Sequence, residues 1–160
     1  MDIKEENKKL CAKYPFLIPW NRMSGQLLTE SDPEYDYEFT ELDSMPDGWR
    51  KAFGLQMCDE LRDALIECGD IDRWRIVQLK EKYGGLRLYD NGYKSGSKVP
   101  DIISKYENIS LRTCIICGEP ATRITTGWIS PFCDKCVESI ECGHSVPIEE
   151  FYGNDNDGGK

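Results

Sequence analysis

The chain has a single histidine, His144, in 160 residues. Catalytic relays of the Ser–His–Asp or Cys–His kind need a histidine positioned by partners, so one residue leaves little room for that chemistry. No apolar run reaches eighteen residues, which excludes an evident transmembrane helix and a membrane partner. The opening stretch "MDIKEENKKL" is charged and has no apolar segment behind it, which argues against a secretory signal and for the cytoplasm. Internal repeats are absent as well. An excess of positive charge is also lacking. The net charge is −9, which argues against general polyanion binding.

What is present supports a folded chain. Hydrophobic residues make up 39% and charged residues 31%, enough for a core in one domain or a domain plus a small module. The charge is unevenly spread. Residues 1–72 carry 8 Lys and Arg against 17 Asp and Glu, residues 73–112 carry 9 against 4, and residues 113–160 carry 3 against 8. A basic middle therefore lies between two acidic flanks and keeps a local anionic contact open.

Eight cysteines are present. Four form two tight pairs, Cys114/Cys117 and Cys133/Cys136, in a Cys-x2-Cys-x15-Cys-x2-Cys pattern. Cys11, Cys58 and Cys68 are scattered. In a reducing compartment that distribution reads as one metal site plus ordinary buried thiols. Each Cys-x-x-Cys turn presents two sulfurs to one ion, and four thiolates make a closed tetrahedral structural zinc site. Such a site has no open position for water or substrate, which argues against catalysis there. Gly118 follows the first pair, where a tight knuckle favours a residue without Cβ. Cys142 and His144, in "ECGH", are the alternatives that would replace one of the four. Trp128 and Phe132 lie between the pairs. They read either as a recognition surface or as the small core under the metal, and the second is favoured because so small a module has little else to bury.

The periodicity outlines the remainder. Residues 4–14 suit a short helix, and "YPFLIPWN" suits an extended arm with two prolines. In "SDPEYDYEFTELD", Tyr35, Tyr37 and Phe39 alternate with Glu34, Asp36 and Glu38, which predicts a strand over 31–43 with an apolar and an acidic face. Trp49, Phe53, Met57, Leu61 and Leu65 recur every four residues, which predicts a helix over 48–68 with Asp47 as N-cap and Gly69 as its stop. "RWRIVQLKEKYGGLRLYD" predicts a hairpin turning at Gly84–Gly85. Val99 to Ser110 predicts a second helix, with Pro100 in its first turn and Ile102, Ile103, Tyr106 and Ile109 on one face.

The expected architecture is α+β. Two helices pack on a small antiparallel sheet within residues 1–111. A zinc-ribbon-like module spans 112–145, and a polar, disordered tail spans 146–160. Two charged surfaces are the candidate contact sites. One is the acidic strand with Glu34, Asp36 and Glu38. The other is the hairpin with Lys80, Lys82 and Arg87, Arg73 and Arg75 upstream, and Tyr83 and Tyr89 interleaved. The bland reading pairs these two surfaces across neighbouring strands.

"MPDGWRKAF", "RWRIVQLKEKYGGLRLYD" and "RTCIICGEPATRITTGWISPFCDKC", taken together over residues 45–136, resemble a group of small bacterial and phage proteins. The group shares a Gly-Trp helix start, a Lys-Glu-Lys-aromatic-Gly-Gly-Leu-Arg hairpin and a C-terminal four-cysteine module with an internal Gly-Trp. The resemblance implies a bacterial or phage origin, and because the group has no established activity it supplies no catalytic residues to carry over. The four-cysteine module is also similar to zinc ribbons, which contact proteins and nucleic acids alike.

Three functional readings follow. The first is a zinc-stabilised accessory protein that binds another protein as inhibitor or regulator. The second is a nucleic-acid-binding module using hairpin 73–89 and the ribbon. The third is an enzyme of unrecognised type that draws on Asp43, Asp47, Asp59 and Glu60.

Overall fold

The computed structural model describes residues 1–140 and 143–153. Helix α1 (Ile3–Lys13) buries Asn7 and Cys11. Pro15 then opens a tight turn, Pro15–Leu17, that places Phe16 and Leu17 fully inside. The expected extended arm is therefore partly helical, because proline pre-sets the φ of a first helical position. A short ladder of β1 (Trp20–Asn21) with β2 (Gln26–Leu27) leads into α2 (Leu28–Ser31).

The strand expected over 31–43 does not form. Several of its amides bond to nearby side chains instead of to a strand partner, and Tyr37 O accepts from Asn7 of α1 at 2.8 Å. Asp32 accepts from the Glu34 amide at 3.0 Å and Glu38 accepts from the Asp36 amide at 3.0 Å. The Thr40 amide donates to Asp43 at 2.6 Å and opens a tight turn over Glu41–Ser44. Short acidic side chains offer the backbone this alternative to a sheet ladder. Tyr37 takes a left-handed φ of 58°, which breaks the strand geometry outright.

The long helix forms as expected, with one irregularity. It runs as α3 (Asp47–Trp49), a single wide turn at Arg50–Gly54, and α4 (Leu55–Glu67). Trp49, Phe53, Met57, Leu61 and Leu65 are all buried. A four-residue spacing drifts on a helix of 3.6 residues per turn, and the wide turn takes up part of that drift. Pro46 occupies the cap position in place of Asp47. Asp47 lies instead in the first turn, where a carboxylate still complements the helix dipole. Gly69, at φ 70°, ends the helix.

Strands β3 (Ile76–Lys82) and β4 (Gly85–Asp90) pair antiparallel with Lys82 opposite Gly85. The turn therefore falls on Tyr83–Gly84, one residue before the expected Gly84–Gly85. Both turn residues have positive φ, 52° and 78°, as a two-residue hairpin turn with the right twist requires. Helix α5 (Val99–Ser110) has Pro100 in its first turn as expected. Tyr106 is buried and Ile102 and Ile103 are half-buried, but Ile109 is exposed. A lone two-stranded hairpin is marginal in water. Here α5 supports it, with Ser110 Oγ accepting from the Leu86 amide at 2.8 Å and Glu107 from the Leu88 amide at 3.2 Å. Helix α4 packs on α5, and the core joins Phe16, Trp49, Leu61, Trp74, Leu86 and Tyr106.

The cysteine module is a second unit around a three-stranded antiparallel sheet. Strand β5 (Arg123–Thr125) lies between β6 (Pro131–Phe132) and β7 (Ser145–Pro147). Helix α6 (Asp134–Glu138) follows β6, and α7 (Ile148–Tyr152) follows β7. The module thus continues to residue 152, past the expected boundary at 145. Ile148 is the reason, since it packs on Ala121 and Ile124 in the module's own small core. Of the expected tail, residues 154–160 lie outside the described residues. Among the described residues, no helix is long and apolar enough to cross a membrane.

Candidate metal centre

The two Cys-x-x-Cys turns meet. The sulfurs of Cys114, Cys117, Cys133 and Cys136 all lie within 4.8 Å of one another, and Cys117 Sγ stands 3.6 Å from Cys133 Sγ. The first turn is closed by the Gly118 amide donating to Cys114 O at 3.0 Å and by the Cys114 amide donating to Glu119 O at 2.8 Å. Gly118 has φ 82°, the left-handed conformation that the knuckle position anticipated. The second turn is closed by the Cys136 amide donating to Cys133 Sγ at 3.4 Å at the start of α6. The four residues are therefore placed to hold one metal ion. Cys142 lies outside the described residues. His144 is not part of the cluster, and its carbonyl instead accepts from the Thr126 amide at 2.9 Å.

Electrostatics point the same way. Burial opposes ionisation of Cys114, but amide donors from Cys117, Cys133 and Ile116 outweigh it and draw the thiol down to about 7. Cys136 is pushed up to about 12 by burial and by the neighbouring sulfurs. Four crowded sulfurs resist ionising together unless a cation sits among them. A divalent ion removes that penalty and takes the thiolates as ligands. By contrast, Cys11 and Cys58 are isolated thiols raised to about 12, chiefly by burial, as expected of core cysteines.

The knuckle is also fastened to the long helix. The Gly48 amide donates to Ile115 O at 3.0 Å, and Trp49 Nε1 donates to Thr113 O at 2.9 Å. A Cβ on Gly48 would overlap the Cys114 carbonyl, and one on Gly118 would come 2.6 Å from Gly48 O. The Gly-Trp helix start is thus the socket for the first cysteine turn. A second junction lies at the hairpin tip. There a Cβ on Gly84 would come 3.0 Å from Ile129 Cγ2, and one on Gly85 would come 2.9 Å from Leu111 Cδ2.

The two charged surfaces do not face each other. Asp36 pairs with Lys4 and Lys8, both at 3.2 Å, and Glu38 pairs with Lys4 at 3.6 Å, while Glu34 is exposed. Lys4 and Lys8, on α1, thus take the place expected for Lys80, Lys82 and Arg87. Arg73 is engaged by buried Asp70 at 2.6 Å, and Arg75 donates to the carbonyls of Ile71, Asp72 and Trp74. Lys80 and Arg87 stand directly opposite each other, so they share one face of the hairpin with Lys82. Among the described residues none of these three has a carboxylate within ion-pair distance.

Trp128 is 79% exposed, against the expectation that it fills the module core. Phe132 is buried, though it stands outside the small cluster of Ala121, Ile124 and Ile148. The sequence signal that separates them is position, since Trp128 follows Gly127 at the turn between β5 and β6 while Phe132 lies within a strand.

Three of the four carboxylates named for catalysis, Asp43, Asp59 and Glu60, are engaged elsewhere. Asp43 pairs with Arg50, and Asp59 accepts from Tyr14 at 2.7 Å and pairs with Lys13. Between α4 and α5 a groove of about 540 Å³ holds Glu60, Asp63, Glu67 and Asp101, but Lys105 and Lys98 pair with Glu60 and Glu67. Lys105 also lowers the Glu60 pKa, the wrong direction for a general acid at neutral pH.

No family model matches the chain, and no curated protein or solved structure does.

Proposed function

We propose that the protein is a non-catalytic accessory factor that acts by binding another macromolecule and is held in shape by one structural zinc ion. The observation that carries this reading is the four-cysteine cluster and its anchorage. Four soft thiolates in a tetrahedral set suit zinc and discriminate against calcium or magnesium. Cys114, Cys117, Cys133 and Cys136 would all be ligands, which leaves no vacant position for a substrate. The ion supplies a cross-link between two chain turns. The residues around it hold carbonyls and amides in the junction with Gly48 and Trp49, where there is no reacting group.

The partner has two readings, a protein that is inhibited or regulated and a nucleic acid. The acidic strand that favours the first is not formed, and two of its carboxylates, Asp36 and Glu38, are engaged by α1. Among the described residues, Lys80, Lys82 and Arg87 of the hairpin lack such partners and favour the second.

The test begins with metal content. Native mass spectrometry of protein purified under reducing conditions is expected to show one zinc per chain. The zinc-loaded protein is then immobilised in a bacterial lysate, with and without nuclease. A protein retained at near-stoichiometric yield in both halves supports the protein reading. Retention lost on nuclease treatment supports the nucleic-acid reading. No retention in either half overturns the binding role.

A further inference from the structure

The tips of two hairpins meet and enclose a cleft of about 300 Å³. Tyr83, at the β3–β4 turn, and Trp128, at the β5–β6 turn, both line it, and they are 71% and 79% exposed. Lys80 and Lys82 line it from the β3 side. Two exposed rings here share one cleft with two lysines that, among the described residues, have no carboxylate partner, so the feature is a combined surface and not a singly exposed side chain.

The cleft is held in place from both sides. Gly84 packs against Ile129, so the tip of the β3–β4 hairpin rests on the residue next to Trp128. The Trp128 loop is itself fixed, with Thr125 Oγ1 donating to Trp128 O and the Ser130 amide donating to Thr125 Oγ1 at 2.9 Å. Lys82 Nζ stands 5.6 Å from the Tyr83 ring centre, and Lys80 Nζ stands 5.6 Å from that of Tyr89. Among the described residues that line the cleft, Glu81 is the carboxylate, and it accepts from the Gly84 amide at 2.7 Å and so serves the turn.

Resting on the reading that this is a binding protein, we infer that the cleft binds a short stretch of single-stranded nucleic acid. Unstacked bases lie on Tyr83 and Trp128, and phosphates meet Lys80, Lys82 and Arg87. Exposed aromatic rings beside backbone-tracking cations are the combination that single strands use, because every base offers a ring face and every nucleotide a negative charge. A duplex keeps its bases stacked and can use only the cations. An acidic peptide likewise gains little from two ring faces. The net charge of −9 works against a long polyanion beyond this patch, which limits the contact to a few nucleotides.

The test is fluorescence anisotropy with the zinc-loaded full chain and a labelled twelve-nucleotide oligothymidine, over 50–200 mM salt. A duplex of the same length and a labelled oligoglutamate peptide run in parallel. Three neutralised phosphates predict a slope of log K against log salt of about −2 on a single strand. K80Q and K82Q are each expected to reduce that slope by about 0.7. W128A is expected to weaken binding roughly 5- to 150-fold and leave the slope unchanged, since stacking carries no charge. The exposure of Trp128 keeps its variant folded, and an unchanged melting curve checks this. Single-strand binding that W128A does not weaken, or that the duplex equals, overturns the inference. Peptide binding without oligonucleotide binding overturns it and leaves the binding role standing. Binding of neither probe also overturns it, and the lysate capture then decides the wider role separately.

Discussion

The body, residues 3–110, buries Phe16, Trp49, Trp74 and Tyr106 in one apolar core, whereas the module, residues 112–152, buries Ala121, Ile124 and Ile148 and gathers four sulfurs. Apolar burial stabilises by roughly 25 cal/mol per Å² removed from water, so the body has a driving force in proportion to its large side chains. These three modest side chains, with Phe132 buried beside them and Ile129, Val146 and Tyr152 partly buried, provide less of it. The module nonetheless forms a three-stranded sheet. A unit of some forty residues usually needs a metal or a disulfide to fold, and the cysteine cluster answers that need. On the proposed reading, one chain uses two sources of stability side by side, apolar burial in the body and an ion between the four cysteines in the module. The two units are also joined. Gly48 and Trp49 belong to the body's long helix and bond to the module's first cysteine turn.

The sharpest way to break the comparison is to remove the metal. Chelation, or replacement of Cys114 or Cys133 by Ser, is expected to release the ion and unfold the module. Binding energy at such sites is folding energy, about 10–16 kcal/mol in small zinc peptides. Hydrogen exchange should then accelerate at the amides of 123–125, 131–132 and 145–147, while those of Leu61 and Leu65 stay protected. Unchanged metal content in both variants would sink the ligand assignment.

A smaller loss is expected from the junction. Trp49→Ala removes a fully buried indole and leaves Thr113 O without its donor. The expected cost is about 3–5 kcal/mol, read by denaturant unfolding with zinc present throughout. A melting curve near that of the parent chain would show that the body does not lean on this contact.

The smallest effect separates the two units by pH. Hydrogen bonding to Arg73 holds the buried Asp70 carboxyl below its ordinary value. A carboxylate whose pKa is lower in the folded chain adds stability that is complete above the unfolded value. That stability disappears as pH falls through the folded one. Acid also protonates thiolates, so both units weaken together in the parent chain. Asp70→Asn is expected to cost about 1–2 kcal/mol at neutral pH, reduced because the guanidinium is half exposed. It should flatten the acid limb that belongs to the body. An unaltered pH profile would place all of the acid sensitivity in the module.

The sequence made the helices and the cysteine cluster legible, because both follow short-range spacing. Trp49 to Leu65 repeats along one face, and Cys-x-x-Cys fixes two sulfurs on one turn. Features decided by distant neighbours were not legible. Alternation over Tyr35, Tyr37 and Phe39 suggested a strand, but the neighbouring acids formed local bonds and turned towards Lys4 and Lys8. The register of the hairpin slipped by one because Gly84 and Gly85 both tolerate a turn, and only packing against Ile129 and Leu111 separates their roles. Gly48 and Gly118 look like ordinary turn residues until each is seen to lie against the other's chain. Trp128 was weighed as core because a small module has few large side chains, and its place at a loop tip was the signal to the contrary.

The bond from Trp49 to Thr113 joins residues 64 positions apart. During synthesis the long helix emerges well before the carbonyl that completes it. Until residue 113 has left the ribosome, the indole N–H has no partner to receive it, and until residue 118 has followed, Gly48 has no knuckle to seat. The first half of the chain therefore waits on the second to finish its own core. Closure of the helix start thus comes after the body's long helix has been made, and so does the meeting of the four sulfurs.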